Sequence, residues 1–306
     1  MLVSVQGVPP LFIVHPDTKS RSVAMAYLEH RFTAQDGLSL YFRDYGDPAS
    51  PATPVLCLGG LFRNSRDFDL LARRLAGERR VLCPDLRGRG RSDYDPDWRN
   101  YKPATYLNDI AHLLAHTNIH QVVVVGTSFG GLLALFLGAF MPLAFAGVVL
   151  NDVGPEIEQD RLEDVLSYIC VDRPQPDWES AVKAIKAQMP AAVYQTEAMF
   201  EVMVRNTYRE GEDGLLHFDW DVNIVKPIIG TQGAPPDLWT SFLGLRPIPL
   251  LAFRGEVSDV LSEECFMRMG QEYPGARLVT VPGTGHAPTL AEPECAAALD
   301  VFLRDL

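Results

Sequence analysis

Residues 121–131 read Gln-Val-Val-Val-Val-Gly-Thr-Ser-Phe-Gly-Gly. Four consecutive β-branched side chains between turn residues predict a strand buried on both faces, as in a parallel sheet. The run passes directly into Gly126-Thr127-Ser128-Phe129-Gly130, the spacing Gly-x-Ser-x-Gly, and then into an apolar helical stretch from Gly131 to Phe140. A strand and a helix joined by so short a turn hold the serine in a strained backbone conformation. Bulky side chains at the flanking glycines would collide with the strand and helix, so the turn closes only with small residues there. The Ser128 hydroxyl is thereby pushed out at the end of the sheet, as a nucleophile elbow.

The chain before and after this point supplies the rest of such a sheet. Residues 31–45 predict a hairpin turning at Gly37, and 54–58 a short buried strand running into Gly59-Gly60-Leu61. Ser65 is placed to cap a helix over 66–76, whose Phe68, Leu71 and Leu75 share a face. A strand over 79–85 ends in Leu86-Arg-Gly-Arg-Gly-Arg-Ser-Asp93. That loop lacks the third glycine of a dinucleotide fingerprint and no Gly-Lys-Ser/Thr follows, so it reads as a turn closed by Asp85 and arginines. A helix over 103–117, the central strand, the elbow helix and a strand over 145–150 complete a βαβ alternation, which implies a parallel sheet.

The alternation then stops. Residues 156–246 predict helices over 156–171, 177–189, 191–209 and 237–245, punctuated by prolines and a 230–236 loop. Strand signals return at 248–254 and 277–281, and a helix over 292–303 closes the chain. The expected organisation is an extension over 1–25, a core of 26–152 and 247–306, and a helical cap of 153–246 inserted between its halves. Fold class is therefore α/β: a mostly parallel central sheet flanked by helices, with a cap following the strand after the elbow helix.

Composition narrows the partners. The formal net charge of the 306 residues is −12, and 152–246 hold 17 acidic against 8 basic residues. Such a field disfavours nucleic acid and anionic membranes and is unfavourable to a polyanionic substrate. Five scattered cysteines show no metal-type spacing and suit buried thiols in a reducing compartment; Cys57 and Cys83 lie in strand-like runs. The first 14 residues are apolar but lack a basic start and contain two prolines, which fits neither a secretion signal nor a membrane span. A cytoplasmic protein is expected, monomer or homodimer.

A serine hydroxyl is a weak nucleophile that needs a base, and the base needs an orienting acid. On an elbow-type sheet these follow in the order Ser, Asp or Glu, His. The loop after the penultimate strand, Arg254-Gly-Glu-Val-Ser-Asp259, offers Asp259 as the acid, with Glu256 beside it. The loop after the last strand, Val281-Pro-Gly-Thr-Gly-His286, offers His286 as the base. His112, His116 and His120 sit in or after a helix and read as surface. Asp152, after the strand that follows the elbow helix, is a rival that could also reach His286. An acyl oxyanion further needs two backbone N–H donors, expected from Phe129, directly after the nucleophile, and Leu61, in the loop after the first parallel strand.

These residues together resemble the α/β-hydrolase fold superfamily over about 30–155 and 245–306. The motifs carrying the resemblance are Gly-Thr-Ser128-Phe-Gly-Gly, Pro-Asp-Leu-Arg-Gly-Arg-Gly-Arg-Ser, Arg-Gly-Glu-Val-Ser-Asp259 and Gly-Thr-Gly-His286. Where many members have His-Gly before the oxyanion residue, this chain has Gly59-Gly60. A serine nucleophile sets it apart from the aspartate-using dehalogenase and epoxide hydrolase branches. Leu-Phe-Arg-Asn-Ser-Arg-Asp-Phe and Leu-Asn-Asp-Val-Gly-Pro-Glu look like a large bacterial group of esterase-like members. The resemblance implies a Ser128–His286–Asp259 triad acting on a small-molecule ester or lactone, with no cofactor and no metal. Carbon–carbon hydrolysis of diketone-type substrates, with Arg63 or Arg254 binding a carboxylate, a cofactor-free perhydrolase, and a ligand receptor on the same scaffold are the alternatives. Acyl size would depend on cap residues such as Trp178, Phe200, Trp220 and Trp239, each read more readily as core packing than as pocket wall.

Overall fold

The computed structural model describes residues 27–188, 197–229 and 237–306; the expected 1–25 extension and the start of the helix read over 191–209 lie outside them. Eight strands form one sheet in the order β1-β2-β4-β3-β5-β6-β9-β10. They are β1 (Leu28–Thr33), β2 (Ser39–Tyr45), β3 (Val55–Leu58), β4 (Val81–Pro84), β5 (Val122–Thr127), β6 (Phe145–Asn151), β9 (Leu250–Gly255) and β10 (Arg277–Val281). β1 pairs antiparallel with β2 and β2 with β4, while every other neighbour is parallel. The hairpin and the mostly parallel sheet expected from the sequence are both present.

The four valines of β5 are fully buried, and they alternate. Val122 and Val124 face a core shared with helices α2 (Pro103–His116) and α3 (Phe129–Phe140). Val123 and Val125 face the opposite core, built with α1 (Asp69–Leu75) and α10 (Pro293–Arg304). Helices on both faces leave no solvent side, which is why β5 shows no polar alternation. Cys57 and Cys83 lie in that second core, as expected.

Two local readings are corrected. Residues 65–68 form a 3₁₀ turn before α1, and Asn64, not Ser65, caps it by accepting from the Arg66 N–H at 3.1 Å. The excursion between β6 and β9 is not wholly helical. Besides α4 (Gln159–Ile169), α5 (Trp178–Gln188), α6 (Glu197–Thr207), α7 (Lys226–Ile229) and α8 (Leu238–Gly244), it contains an antiparallel pair, β7 (Tyr208–Glu210) with β8 (Leu216–Phe218). A further helix, α9 (Glu263–Glu272), connects β9 to β10 and is capped by Ser262.

The topology places the chemistry. β3 and β5 are neighbours, but the chain reaches β4 on one side of β3 before crossing to β5 on the other. The loops after β3 and β5 therefore diverge at a topological switch point, where open α/β sheets form their clefts. The loops after β6, β9 and β10 leave the same edge.

Candidate active site

Ser128 joins β5 to α3 with φ 52° and ψ −117°, a left-handed conformation rare for a side-chain-bearing residue. Its N–H donates to the Asn151 carbonyl at 3.1 Å, and its carbonyl accepts from Gly131 and Leu132 N–H groups at 2.8 and 3.1 Å. The turn is therefore held from both sides. A Cβ at Gly126 would lie 2.5 Å from the Gly130 carbonyl oxygen, and one at Gly130 would lie 2.0 Å from that of Leu58. Both collisions are with backbone, so the two glycines are steric requirements of the turn. Phe129 opens α3, so its N–H belongs to the unsatisfied, positively polarised start of a helix.

The loop after β3 runs alongside. A Cβ at Gly60 would sit 3.9 Å from the Ser128 Cβ, which sets this backbone against Ser128. The Gly60 carbonyl accepts from Arg63 N–H at 3.1 Å in a tight turn. In that trans peptide the Leu61 N–H projects the opposite way. The Leu61 carbonyl accepts from the buried Arg89 guanidinium, which pins the next peptide plane as well.

The acid bonded to the histidine is Asp152. Its Oδ2 lies 2.7 Å from His286 Nδ1 and the side chain is fully buried. The same oxygen accepts from Ser258 Oγ at 2.6 Å, and Oδ1 accepts from the Gly255 N–H at 2.8 Å. Asp152 also has positive φ, at 54°, and its N–H donates to Phe253 O at 2.9 Å. This turn aims the carboxylate across the end of β9. His286 is brought there by close backbone approach: a Cβ at Gly255 would fall 2.4 Å from the Gly285 carbonyl oxygen, and Val257 N–H donates to Thr284 O at 3.0 Å. Among the described residues Ser128 and His286 share no hydrogen bond, though both emerge at this edge.

Asp259, expected to orient the base, stands elsewhere. Its carboxylate pairs with Arg161 of α4, and its side chain is 41% exposed. The β9 loop turns it outward while Ser258 turns in, so the sequence expectation of an Asp259–His286 contact is corrected to Asp152–His286. Glu256 is occupied with the Gly283 N–H at 2.8 Å. The two arginines considered for carboxylate binding are both engaged. Arg63 makes a bidentate pair with Asp67 at 2.6 and 2.7 Å and donates to Thr207 Oγ1 at 2.7 Å. Arg254 is buried and donates to the carbonyls of Leu261 and Glu256.

A polar seam ties the excursion to the sheet edge that carries Ser128. Asn64 and Arg66 both donate to the Asn206 carbonyl and to Asp219. Gly90 N–H donates to Asp219 O and Asp221 N–H to Gly88 O. Burial lifts the Asp219 carboxyl to about 6, against the opposing pull of Arg66. Trp220 lies between these bonds, buried, stacked on Phe218 at 4.1 Å and tilted against Phe62 at 5.2 Å. Trp220 and Phe200 are thus packing residues. Trp178 and Trp239 are partly buried beneath Arg205 and Arg268 respectively. Among the described residues no group of three or more His, Cys, Asp or Glu side chains could hold a metal ion, and no helix is long and apolar enough to cross a membrane.

The fold has counterparts among known proteins. The model of the alpha/beta hydrolase family matches residues 55–298. The 3-hydroxybutyrate-oligomer hydrolase of Cupriavidus necator is 31% identical over 263 residues, covering 82% of this chain and 88% of that protein. The 2-(acetamidomethylene)succinate hydrolase of Mesorhizobium japonicum is 25% identical over 241 residues, covering 78% and 84%. A solved alpha/beta hydrolase from Novosphingobium aromaticivorans shares 43% identity at a TM-score of 0.85, covering 92% of this chain and 99% of its own.

Proposed function

The chain belongs to the alpha/beta hydrolase family, and from that premise we propose that it is a serine hydrolase of carboxylic esters working through an acyl-enzyme, with Ser128 as nucleophile, His286 as base and Asp152 as orienting acid. The observation that carries the reading is the buried Asp152–His286 pair at the sheet edge that presents Ser128. Both Asp152 oxygens face donors, so the carboxylate accepts and His286 Nδ1 carries the proton. Nε2 is then the acceptor, the tautomer that a general base needs.

Ser128 Oγ attacks the ester carbonyl as its proton passes to His286 Nε2, the contact between the two closing as substrate seats. Charge gathers on the former carbonyl oxygen, towards the N–H groups of Phe129 and Leu61. Collapse expels the alkoxide, which takes the proton from His286. Water then attacks the acyl-enzyme, gives its proton to Nε2, and releases the acid as Ser128 is restored.

The substrate class favoured is a small ester, including short oligoesters of hydroxy acids such as those named for the Cupriavidus relative. Engagement of Arg63 by Asp67, and of Arg254 by two carbonyls, argues against the dicarboxylate-type carbon–carbon substrates. Turnover of p-nitrophenyl butyrate, a 3-hydroxybutyrate trimer and a dienoate diketone tests the assignment, with Ser128→Ala as control. Higher kcat/KM on the esters, abolished in the variant, is expected. Higher kcat/KM on the diketone would overturn the ester reading, and turnover surviving Ser128→Ala would overturn the nucleophile.

A further inference from the structure

Asp152 Oδ2 accepts two donors, and the second belongs to a residue with no role in the chemistry described above. Ser258 Oγ lies 2.6 Å from that oxygen. The same Oγ accepts from the N–H groups of Val260 and Leu261 at 3.3 and 3.2 Å. A hydroxyl has one proton and two lone pairs. With the lone pairs turned to these two N–H groups, its proton points at Asp152. The loop after β9 thus builds a donor that faces the carboxylate and cannot readily rotate away.

We propose that Ser258 is a positioning residue that sets the basicity of His286, by donating a hydrogen bond to the oxygen of Asp152 on which His286 also rests. The proposal rests on the reading of Asp152 and His286 given above. A donor on Oδ2 disperses the negative charge that the imidazole ring meets. The carboxylate then stabilises the imidazolium less than a bare one would, which favours the neutral ring that takes the Ser128 proton. The other charged groups around the base are paired or turned outward. Glu256, on the same loop, accepts from Gly283, Arg254 of β9 donates to backbone carbonyls, and Asp259 pairs with Arg161 of α4. Ser128, after β5, brings no charge. Asp152 is the carboxylate in contact with the ring, so its charge density is where tuning would act.

The test is the acidic limb of the kcat/KM profile on p-nitrophenyl butyrate for wild type, Ser258→Ala and Ser258→Thr. His286 is followed in parallel by NMR of histidine-labelled protein, its signal assigned by its loss in His286→Asn. Removing the hydroxyl leaves more negative charge on the Asp152 oxygen that faces the ring, so the limb and the NMR midpoint in Ser258→Ala are expected to move up by about 0.5–1 pH unit. Ser258→Thr, which keeps the donor, stays at the wild-type position. A purely structural role would lower activity evenly across pH, and a Ser258→Ala limb that coincides with wild type or moves down overturns the proposal. Should Ser258→Ala not fold, Ser258→Cys serves, with a weak donor and a smaller shift in the same direction. If the wild type hydrolyses no ester, the functional reading fails, while the NMR midpoint still decides the effect of the hydroxyl.

Discussion

Replacing each of two aspartates by asparagine separates the structural assignment from its alternative. In Asp152→Asn one carboxylate oxygen becomes an NH₂ group. Facing outward to Oδ2's partners, it meets the proton on His286 Nδ1 and the Ser258 hydroxyl; facing Oδ1's partner, it meets the Gly255 N–H. The first arrangement is relieved when the imidazole moves its proton to Nε2, which leaves no acceptor for Ser128. The corresponding change in serine proteases lowers kcat by about ten-thousandfold, and the same order is expected here, roughly 5 kcal/mol in the barrier. In Asp259→Asn the change breaks an ion pair with Arg161 whose side chains are 44% and 41% exposed. Exposed pairs contribute about 0–1 kcal/mol, so even with all of that energy carried to the barrier kcat should stay within roughly fivefold. Steady-state kcat on p-nitrophenyl butyrate, with circular dichroism to confirm folding, reads both. Equal losses, or a greater loss in Asp259→Asn, would refute the reasoning.

Two further outcomes follow from packing and burial. Gly130→Ala places a Cβ 2.0 Å from the Leu58 carbonyl oxygen and 2.8 Å from that of Gly59, so it should destabilise by at least about 3 kcal/mol. Gly244→Ala meets nothing within 4 Å and should melt within about 2 °C of wild type; equal thermal melts of the two variants would contradict the steric account of the elbow. Asp219, lifted by burial to about 6, holds its proton more tightly folded than unfolded. Its contribution is therefore fully present below about pH 4 and lost as pH rises to about 6, by up to roughly 3 kcal/mol. The wild-type melting temperature should fall relative to Asp219→Asn across that window, and a constant difference would show the carboxyl titrating normally.

The elbow was legible in the sequence because its causes are local. Four valines, two obligatory glycines and an apolar helix are contiguous, and sterics couple them within ten residues. The placement of His286 at this edge was legible for a similar reason, since its Gly-Thr-Gly approach reflects the backbone contact seen between Gly255 and Gly285. The acid was not decided by such signals. Asp152 and Asp259 follow adjacent parallel strands, so chain order admits both, and only the positive φ of Asp152 and the outward turn of Asp259 separate them. The sequence did hold a hint: Asp152 follows the apolar run Val148-Val149-Leu150 after one residue, whereas Asp259 sits in a polar loop. Ser258 was passed over because a hydroxyl in that loop has no pattern of its own. α9 was missed although Ser262 and the spacing of Cys265, Phe266 and Met269 signal a capped amphipathic helix. The β7–β8 pair could not be read, because three-residue strands carry too little periodicity.

The central claim is that this fold activates Ser128. Intact mass after exposure to a fluorophosphonate, for wild type and Ser128→Ala, tests it most directly. The account predicts one adduct on the wild type and none on the variant. A well-folded wild type that takes no adduct, or an adduct that persists in Ser128→Ala, would contradict it.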